Sequence, residues 1–398
     1  MKKLSVFFII FSIFLGSCQF SPKKTIMKDD IIYIDISKNY PNKRIIAEKI
    51  EYVPLETSKE VLLDKSAILH YVSEFYFLII EKRRGNIFVF GRNGKIVSQF
   101  NHYGKGPGEY STMSDVVFDE KNEEIFVFNN FGGDGSGLIF VYSIDGQYRR
   151  TMKYPSNFHL KAYNFDDKIL LVYDMKNIQQ NKNNYNKNPY MLLSKKDGSI
   201  VSTLEINLPV RYSDRVYNQI TDDSGRIFEQ VRYAEIFNRR HYGEDFIIGD
   251  MSSDTIYLLT KNRDLLPYII RTPSIHLKEP HVTFTPVLLT EKFFVFYIII
   301  LDYIALKNEN RLNPKILMYE FETNKIYNIN KMEIQYDVNI VQKNIIDARL
   351  VDSYRLKESH NKWKSNKKED LDEEEMKRDQ VVSSLKEEDN PVVIIYKL

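Results

Sequence analysis

The sequence predicts an all-β fold, a six-bladed β-propeller of four-stranded antiparallel blades, and three observations lead to it. Strand-like apolar segments recur with turn glycines at an even spacing. Aromatic residues are abundant, with 27 Tyr and 25 Phe in 398 residues, and such a composition suits strands. The first and last strand-like segments have no neighbour in sequence, so we expect them to pair, close the ring and remove exposed sheet edges.

The repeat is clearest in its first three units, which align on a turn glycine. Each unit has an apolar segment followed by an Asn-Gly or Asp-Gly pair, at Gly94, Gly146 and Gly198. These pairs favour tight hairpin turns because both residues tolerate positive φ. The glycines recur at about 50 residues, the length of one propeller blade.

The repeat becomes less regular after Gly198 but continues to the end of the chain. A fourth unit is predicted at 246–259 and a fifth at 293–325. A last strand is predicted at 391–396, and we expect it to pair with the first strand, at 31–36, in the same blade. The prediction is therefore six blades.

Three other segments need an interpretation. The apolar run 293–306 is shorter than a membrane span and contains Asp302, so it predicts a pair of buried strands. The polar segment 177–188 predicts an exposed hairpin loop. Blocks of lysine and acid at 364–379 predict a solvated helix or loop, with a docking surface for a charged partner as the alternative.

The N-terminus predicts a lipoprotein leader. Lys2 and Lys3 precede a short apolar run, and small residues lead to Cys18, which is the only cysteine of the chain. We therefore predict a signal peptide at 1–17, a lipidated N-terminus with a polar spacer at 18–29, and the propeller at 30–398. The lipid on Cys18 would attach the protein to a membrane. An ordinary secretory leader with a chance cysteine is the alternative.

Composition limits the partners and the compartment. The formal net charge is only +2, so the sequence predicts no nucleic-acid partner. With Cys18 lipidated, no disulfide is expected. Gln19 follows the lipidated cysteine, which predicts the bacterial cell envelope, with an anchor in the outer membrane facing the periplasm. The cell surface is the alternative.

Four motifs resemble a family of bacterial six-bladed β-propeller lipoproteins. They are Tyr-Val-Pro-Leu-Glu-Thr at 52–57, Asn-Gly-Lys at 93–95, Gly-Lys-Gly-Pro-Gly-Glu-Tyr at 104–110 and the C-terminal segment 390–398. Proteins of this family are similar to NHL-repeat propellers and are mostly of unknown function. The resemblance implies the propeller fold and a lipid anchor, and it implies no catalytic residue.

The segment 104–110 is the best-marked candidate for a ligand site. Its glycines can present backbone N–H groups to an anion, and a lysine adds positive charge. The candidate ligand-binding residues are Lys105, Gly106, Gly108, Glu109 and Tyr110. The alternative is a rigid connection between blades, in which the glycines serve backbone geometry.

No metal or catalytic site is predicted. His276 and His281 lack the spacing of a helical zinc pair, and the other histidines are isolated in sequence: His70, His102, His159, His241 and His360. The glycine-rich segment 131–137 carries a single carboxylate, too few for calcium. We expect no cofactor, although histidines from several blades can in principle hold Ca²⁺ or Zn²⁺ in a central channel.

Two functions fit these observations. The first is a binding or scaffold module whose loops capture a peptide, a glycan or a partner protein. The alternative is a metal-dependent lyase or hydrolase with its site in the central channel. The absence of a catalytic signature favours the first, although a fold alone does not determine function.

Overall fold

The computed structural model describes residues 31–398 apart from the gaps at 131–135, 155–159, 175–188, 207, 214, 222–223, 234–240, 243–244, 278, 309–313, 331–337 and 367–370. The predicted loop at 177–188, and most of the glycine-rich segment 131–137, lie outside the described residues. Within them, no helix is long and apolar enough to cross a bilayer.

Three strands precede the first complete blade: β1 (Ile32–Asp35), β2 (Asn42–Lys43) and β3 (Lys49–Pro54). Each of them joins a sheet formed by a later part of the chain.

Blades 1 to 3 follow in chain order, and each runs from its first, innermost strand to its fourth, outermost strand. Blade 1 contains β4 (Ile68–Val72), β5 (Tyr76–Glu81), β6 (Asn86–Gly91) and β7 (Ile96–Asn101). Blade 2 contains β8 (Asp115–Asp119), β9 (Glu124–Asn129), β10 (Gly137–Ser143) and β11 (Tyr148–Tyr154). Blade 3 contains β12 (Leu160–Asn164), β13 (Ile169–Asp174), β14 (Tyr190–Ser194) and β15 (Ile200–Leu204).

A separate hairpin of β16 (Arg215–Thr221) and β17 (Ile227–Tyr233) leads into blade 4. Blade 4 contains β18 (His241–Tyr242), β19 (Asp245–Ile248), β20 (Thr255–Leu259) and β21 (Leu265–Thr272). Blade 5 contains β22 (Thr285–Leu289), β23 (Phe293–Ile298), β24 (Lys315–Glu320) and β25 (Lys325–Ile329), with the short helix α1 (Tyr303–Asn308) between β23 and β24.

Blade 6 is made from both ends of the described chain. The short strand β26 (Asn339–Ile340) precedes it in the chain and extends the sheet of blade 1, where it pairs in parallel with β4. Next come β27 (Ile345–Val351), the helices α2 (Ser353–Asn366) and α3 (Glu373–Ser384), and β28 (Val392–Lys397). β28 pairs with β27 on one side and with β3 on the other, so an N-terminal strand closes the ring.

The six-bladed propeller and its closure by N- and C-terminal strands are confirmed, but the closing strand differs from the one expected. β3 pairs with the last strand, whereas the predicted partner at 31–36 forms β1 and lies in parallel along β21 of blade 4. β2 lies in the same way along β25 of blade 5. The N-terminal segment therefore covers the outer edges of blades 4 and 5 before it enters blade 6, which protects edges that would otherwise be open.

Apolar side chains fill the interface between each pair of neighbouring blades. Between blades 1 and 2, for example, Leu78 and Ile80 pack with Val127 and Tyr142. Each fully buried side chain of this size contributes about 1.5–3 kcal/mol. Apolar packing between the faces of neighbouring blades therefore holds the blades together, as expected for a chain without disulfides.

Two further predictions have an outcome in the fold. The turn glycines Gly94, Gly146 and Gly198 have φ of +79°, +84° and +80°, so the hairpin turns of the repeat are confirmed. The run 293–306 is not a pair of strands, because only its first half forms a strand and its end enters α1. Asp302 causes the change, since its carboxylate accepts the N–H groups of Ile304 and Ala305 and caps the helix.

The sequence predicts a solvated helix or a loop for segment 364–379, and the segment is helical at both ends. Residues 367–370 lie outside the described part of the chain. α2 and α3 pack against blade 6 through a cluster that contains Leu356, Val382 and Ile394.

Candidate functional site

A cavity of ≈ 640 Å³ lies where the first turns of several blades meet. These turns follow the innermost strands β4, β8 and β12, and the segment after β26 completes the wall. The cavity therefore occupies one mouth of the central channel. Its lining residues are Tyr71, Ser73, Glu74, Phe75, Tyr76, Glu120, Lys121, Asn164, Val341 and Gln342.

A tyrosine and a carboxylate from neighbouring blades meet in this wall. The Tyr71 hydroxyl donates a hydrogen bond of 3.0 Å to Glu120 Oε2. Burial of the phenol, together with the charge of Glu120, raises the pKa of Tyr71 well above its ordinary value, so the hydroxyl keeps its proton. The Tyr71 and Tyr76 rings both meet the Phe118 ring edge-on, at centroid distances of 5.2 and 5.8 Å. These contacts fix the aromatic side of the cavity.

A buried ion pair holds the turn of blade 2 against blade 3. Lys195 Nζ lies 2.5 Å from Asp119 Oδ2, and both side chains are almost completely buried. The same ammonium donates to Asn164 Oδ1, whose residue lines the cavity, and to the carbonyl of Asp166. Desolvation lowers the pKa of Lys195, and the adjacent Asp119 carboxylate acts in the opposite direction. This network positions Asn164 and leaves it little freedom.

Two lining residues have interactions left to make. The buried atom Gln342 Oε1 has no hydrogen-bond partner within the described part of the chain. The Phe75 side chain is 61% exposed although it belongs to the cavity wall. An unpaired buried acceptor costs about 1–3 kcal/mol. Gln342 Oε1 is closed to solvent, so a ligand would reach it only if the wall rearranged, whereas the Phe75 ring is directly accessible.

The innermost strands of blades 1, 2 and 3 are joined directly to each other. The His70 ring donates from Nε2 to the carbonyl of Val116 at 2.6 Å, and Asp115 Oδ2 accepts the Ala162 N–H at 2.9 Å. Burial lowers the pKa of His70 despite the nearby Asp115 carboxylate, so the imidazole is neutral at physiological pH. The wall of the channel is therefore tied together on this side by side chains that are already paired.

The predicted site at 104–110 lies elsewhere, in the connection from blade 1 to blade 2. The Gly106 N–H donates to the Glu109 carboxylate at 2.7 Å, and the Glu109 N–H donates to the Gly106 carbonyl at 3.1 Å. Lys105 is exposed, whereas Tyr110 is completely buried. An incoming anion would compete with Glu109 for the Gly106 N–H.

Tyrosines anchor this connection at both of its ends. The Tyr110 hydroxyl donates to the Gly85 carbonyl in blade 1, and the Tyr142 hydroxyl donates to the Gly108 carbonyl from blade 2, both at 2.6 Å. Burial raises the pKa of Tyr110 to about 12. The Tyr142 ring also stacks on His102 at 4.8 Å. The segment thus links two blades, and its role in ligand binding stays a prediction.

The described histidines do not form a metal site. His276 and His281 both lie against the Tyr212 ring, with centroid distances of 5.6 and 4.0 Å. His360 is buried in the helical hairpin, and His159 lies outside the described residues. Across the described ranges, no group of three or more His, Cys, Asp or Glu side chains is placed to hold a metal ion.

The cavity could not be recognised in the sequence because its residues come from several units of the repeat. The glycines that mark the repeat lie in the turn before each outermost strand, whereas the cavity is built near the turn after each innermost strand. One signal was present: acidic residues occur in that first turn in three units, at Glu74, Glu120 and Asp166. Only the ring geometry brings the first two into one wall.

Fold and site together define a six-bladed β-propeller with a cavity at one mouth of its channel. The chain belongs to the family described as domain of unknown function DUF4934, whose family model matches residues 31–397. The predicted resemblance to a propeller family of unknown function is therefore confirmed. No curated protein matches the chain.

One solved structure has the same fold. A protein of Bacteroides fragilis described as an exported protein superposes with a TM-score of 0.57 at 15% identity, covering 92% of this chain and 99% of its own. A member of the DUF4221 family from Bacteroides vulgatus gives a TM-score of 0.41 at 10% identity, covering 73% of this chain and 86% of its own. At this identity, the first likeness concerns the fold alone.

Proposed function

We propose that this protein is a lipid-anchored binding propeller of the bacterial cell envelope, and that its ligand occupies the cavity at the mouth of the channel. Ligand sites are concave, with apolar or aromatic walls and a few converging polar groups. The cavity is open to solvent, and its wall combines aromatic side chains with a few polar groups from several blades. The single observation that carries the proposal is the exposed Phe75 ring among the polar side chains of the cavity lining.

The binding site is tested with a photo-crosslinking amino acid. Benzoylphenylalanine in place of Phe75 should give a discrete crosslinked product in intact cells. The matched control replaces Phe228, which is 50% exposed but lies in the separate hairpin β16–β17. Equal products at both positions, or none at Phe75, would contradict the proposal.

The anchor is a separate part of the proposal, and it depends on the sequence around Cys18, which lies outside the described residues. The Cys18→Ser variant should leave the membrane fraction, while the unchanged protein should partition into detergent and carry a labelled fatty acid. Protease treatment of intact cells then separates the two envelope locations, because only a surface-exposed protein is digested. A Cys18→Ser protein that still labels with fatty acid would refute the anchor.

The metal-dependent lyase or hydrolase stays an untested alternative. The test is metal analysis of the purified protein: one Ca²⁺ or Zn²⁺ per chain that is lost with chelator would support it. The segment 104–110, with Lys105, Gly106, Gly108, Glu109 and Tyr110, likewise stays a candidate anion site, to be tested by phosphate binding to a Lys105→Gln variant.

A further inference from the structure

We propose that the cavity at the mouth of the channel binds the cationic side chain of a partner polypeptide, with arginine as the best fit. This inference rests on the proposed function, because it names the ligand chemistry of the same cavity. It follows from the hydrogen-bonding capacity left over in the wall, from the charges there and from the position of the aromatic rings.

The cavity wall offers a charged acceptor to a ligand. Glu120 accepts one hydrogen bond within the described ranges, from the Tyr71 hydroxyl to Oε2, so its carboxylate has capacity left. The Lys121 ammonium already lies 2.6 Å from the Asp167 carboxylate. A ligand that brings N–H donors would therefore be favoured at this carboxylate.

The charges lead to the same conclusion. Glu74 and Glu120 contribute two carboxylates to the lining, and Lys121 contributes the one ammonium, which Asp167 neutralises. Asn164 adds no charge, and its Oδ1 is occupied by Lys195. An anion would meet net repulsion here, whereas a cation would gain a charge-assisted hydrogen bond.

Aromatic rings line the cavity beside these acceptors. Phe75 is largely exposed, and the Tyr76 ring is held in place by its edge contact with Phe118. A cation is attracted to the face of an aromatic ring, and the planar guanidinium can stack on it while its edge donates hydrogen bonds. Arginine satisfies both demands at once. The volume of ≈ 640 Å³ also leaves room for part of the peptide backbone.

The test uses two peptides that differ only in charge. The protein is titrated by calorimetry with acetyl-Gly-Gly-Arg-Gly-Gly-amide and with the same peptide containing citrulline, which is neutral but nearly isosteric. We expect the arginine peptide to bind at least about tenfold more tightly, because the citrulline peptide lacks one charged contact. A lysine peptide should lie between them, and added salt should weaken both cationic peptides.

Two variants of neighbouring residues should change the affinity in opposite directions. Glu120→Gln keeps an acceptor for Tyr71 but removes the charge, and should weaken arginine binding about five- to tenfold. Lys121→Gln removes the competing cation and should strengthen it. Glu388→Gln, an exposed position outside the cavity lining, is the matched control and should have no effect. Circular dichroism confirms that each variant is folded.

Three results would overturn the inference. Equal affinity for the arginine and citrulline peptides would mean that the cavity does not select charge. An affinity for the arginine peptide that is unchanged in Glu120→Gln and Lys121→Gln would mean the same. No binding of the arginine peptide at millimolar concentration would also refute it. If crosslinking from position 75 still gave a discrete product, the cavity would remain a binding site for a neutral ligand, whereas failure of both experiments would reject the proposed function as well.

Discussion

Gly94 lies directly against the backbone carbonyl of Pro54, so that a Cβ at Gly94 would overlap with the carbonyl oxygen. Pro54 ends the N-terminal strand β3, which closes the ring, and Gly94 is in the last turn of blade 1. The N–H of Glu56, two residues after Pro54, donates to the Gly94 carbonyl at 2.8 Å. The closing strand and the first complete blade are therefore joined through backbone atoms.

Replacement of Gly94 by alanine should destabilise the closure strongly. The control is Gly225→Ala, because Gly225 has the same φ of +79° and nothing within 4 Å of its Cβ position. Both variants should lose about 1–2 kcal/mol from the left-handed backbone. Gly94→Ala should lose about 1–3 kcal/mol more from the overlap, measured by urea unfolding. Equal losses would show that the contact with Pro54 does not matter.

Asn390 makes a second connection at the same closure. Its amide oxygen accepts the Leu63 N–H at 2.8 Å, and its amide nitrogen donates to the Glu56 and Val61 carbonyls at 2.7 and 2.8 Å. The side chain is almost completely buried. It therefore fastens the segment after β3 to the start of β28.

The Asn390→Ala variant should lose about 2–5 kcal/mol of unfolding free energy, since three hydrogen bonds with buried partners disappear together. Asn390→Asp keeps the shape but has no donors at neutral pH, and should be nearly as unstable. Asn101→Ala is the control, because that exposed side chain also makes two hydrogen bonds but in contact with water. A loss at Asn390 no larger than at Asn101 would contradict this assignment.

This closure explains how much of the fold could be predicted from the sequence. Three of the four motifs behind the family resemblance meet here: 52–57 contains Pro54, 93–95 contains Gly94, and 390–398 begins with Asn390. They are recognisable because backbone contact and a buried amide permit few other residues. The fourth, 104–110, forms the next connection between blades.

Other features could not be predicted because they depend on long-range geometry. The segment 31–36 has the apolar sequence expected of a closing strand. Nothing in that sequence shows that it will pair with β21 instead. The cavity combines residues from units far apart in the chain, such as Tyr71, Glu120 and Gln342. A local pattern reveals the type of element, and the ring determines which turns become neighbours.

The N-terminal strands β1 and β2 should stabilise the ring without being needed to close it. A variant that begins at residue 45 keeps β3 but loses β1, including the buried side chains of Ile34 and Ile36. It should fold with a lower melting temperature, having lost about 3–6 kcal/mol of apolar burial. A variant that begins at residue 56 also lacks β3 and should not fold cooperatively. Equal melting temperatures for the two would disprove closure by β3.

The buried pair of Asp119 and Lys195 should be sensitive to the loss of one partner. Lys195→Met leaves the Asp119 carboxylate without its counter-ion and should cost about 3–5 kcal/mol. Adding Asp119→Leu to that variant should recover part of the loss, because no unpaired charge then remains. Lys121→Met breaks an exposed pair with Asp167 and should cost less than about 1 kcal/mol. Urea unfolding of these variants and of Asp119→Leu alone measures the free energies, and an additive double variant would show that the pair is not coupled.

The helical hairpin of α2 and α3 should loosen in acid before the blades do. Asp379 in α3 accepts hydrogen bonds from Lys364 and His360 of α2 and from Ser383, and these contacts lower the pKa of Asp379 to about 2. The folded pKa is below the ordinary value of 3.8, so the contribution of Asp379 to stability is fully present above about pH 4 and is lost as the pH falls through about 2.

Trp363, the only tryptophan, lies 5.1 Å from the His360 ring and reports on this contact by fluorescence. We expect its emission to change between pH 4 and pH 2 in the unchanged protein. In Asp379→Asn that change should be largely absent, and the emission at pH 7 should already resemble the acid form. A titration that is the same in both proteins would show that other carboxylates control the hairpin.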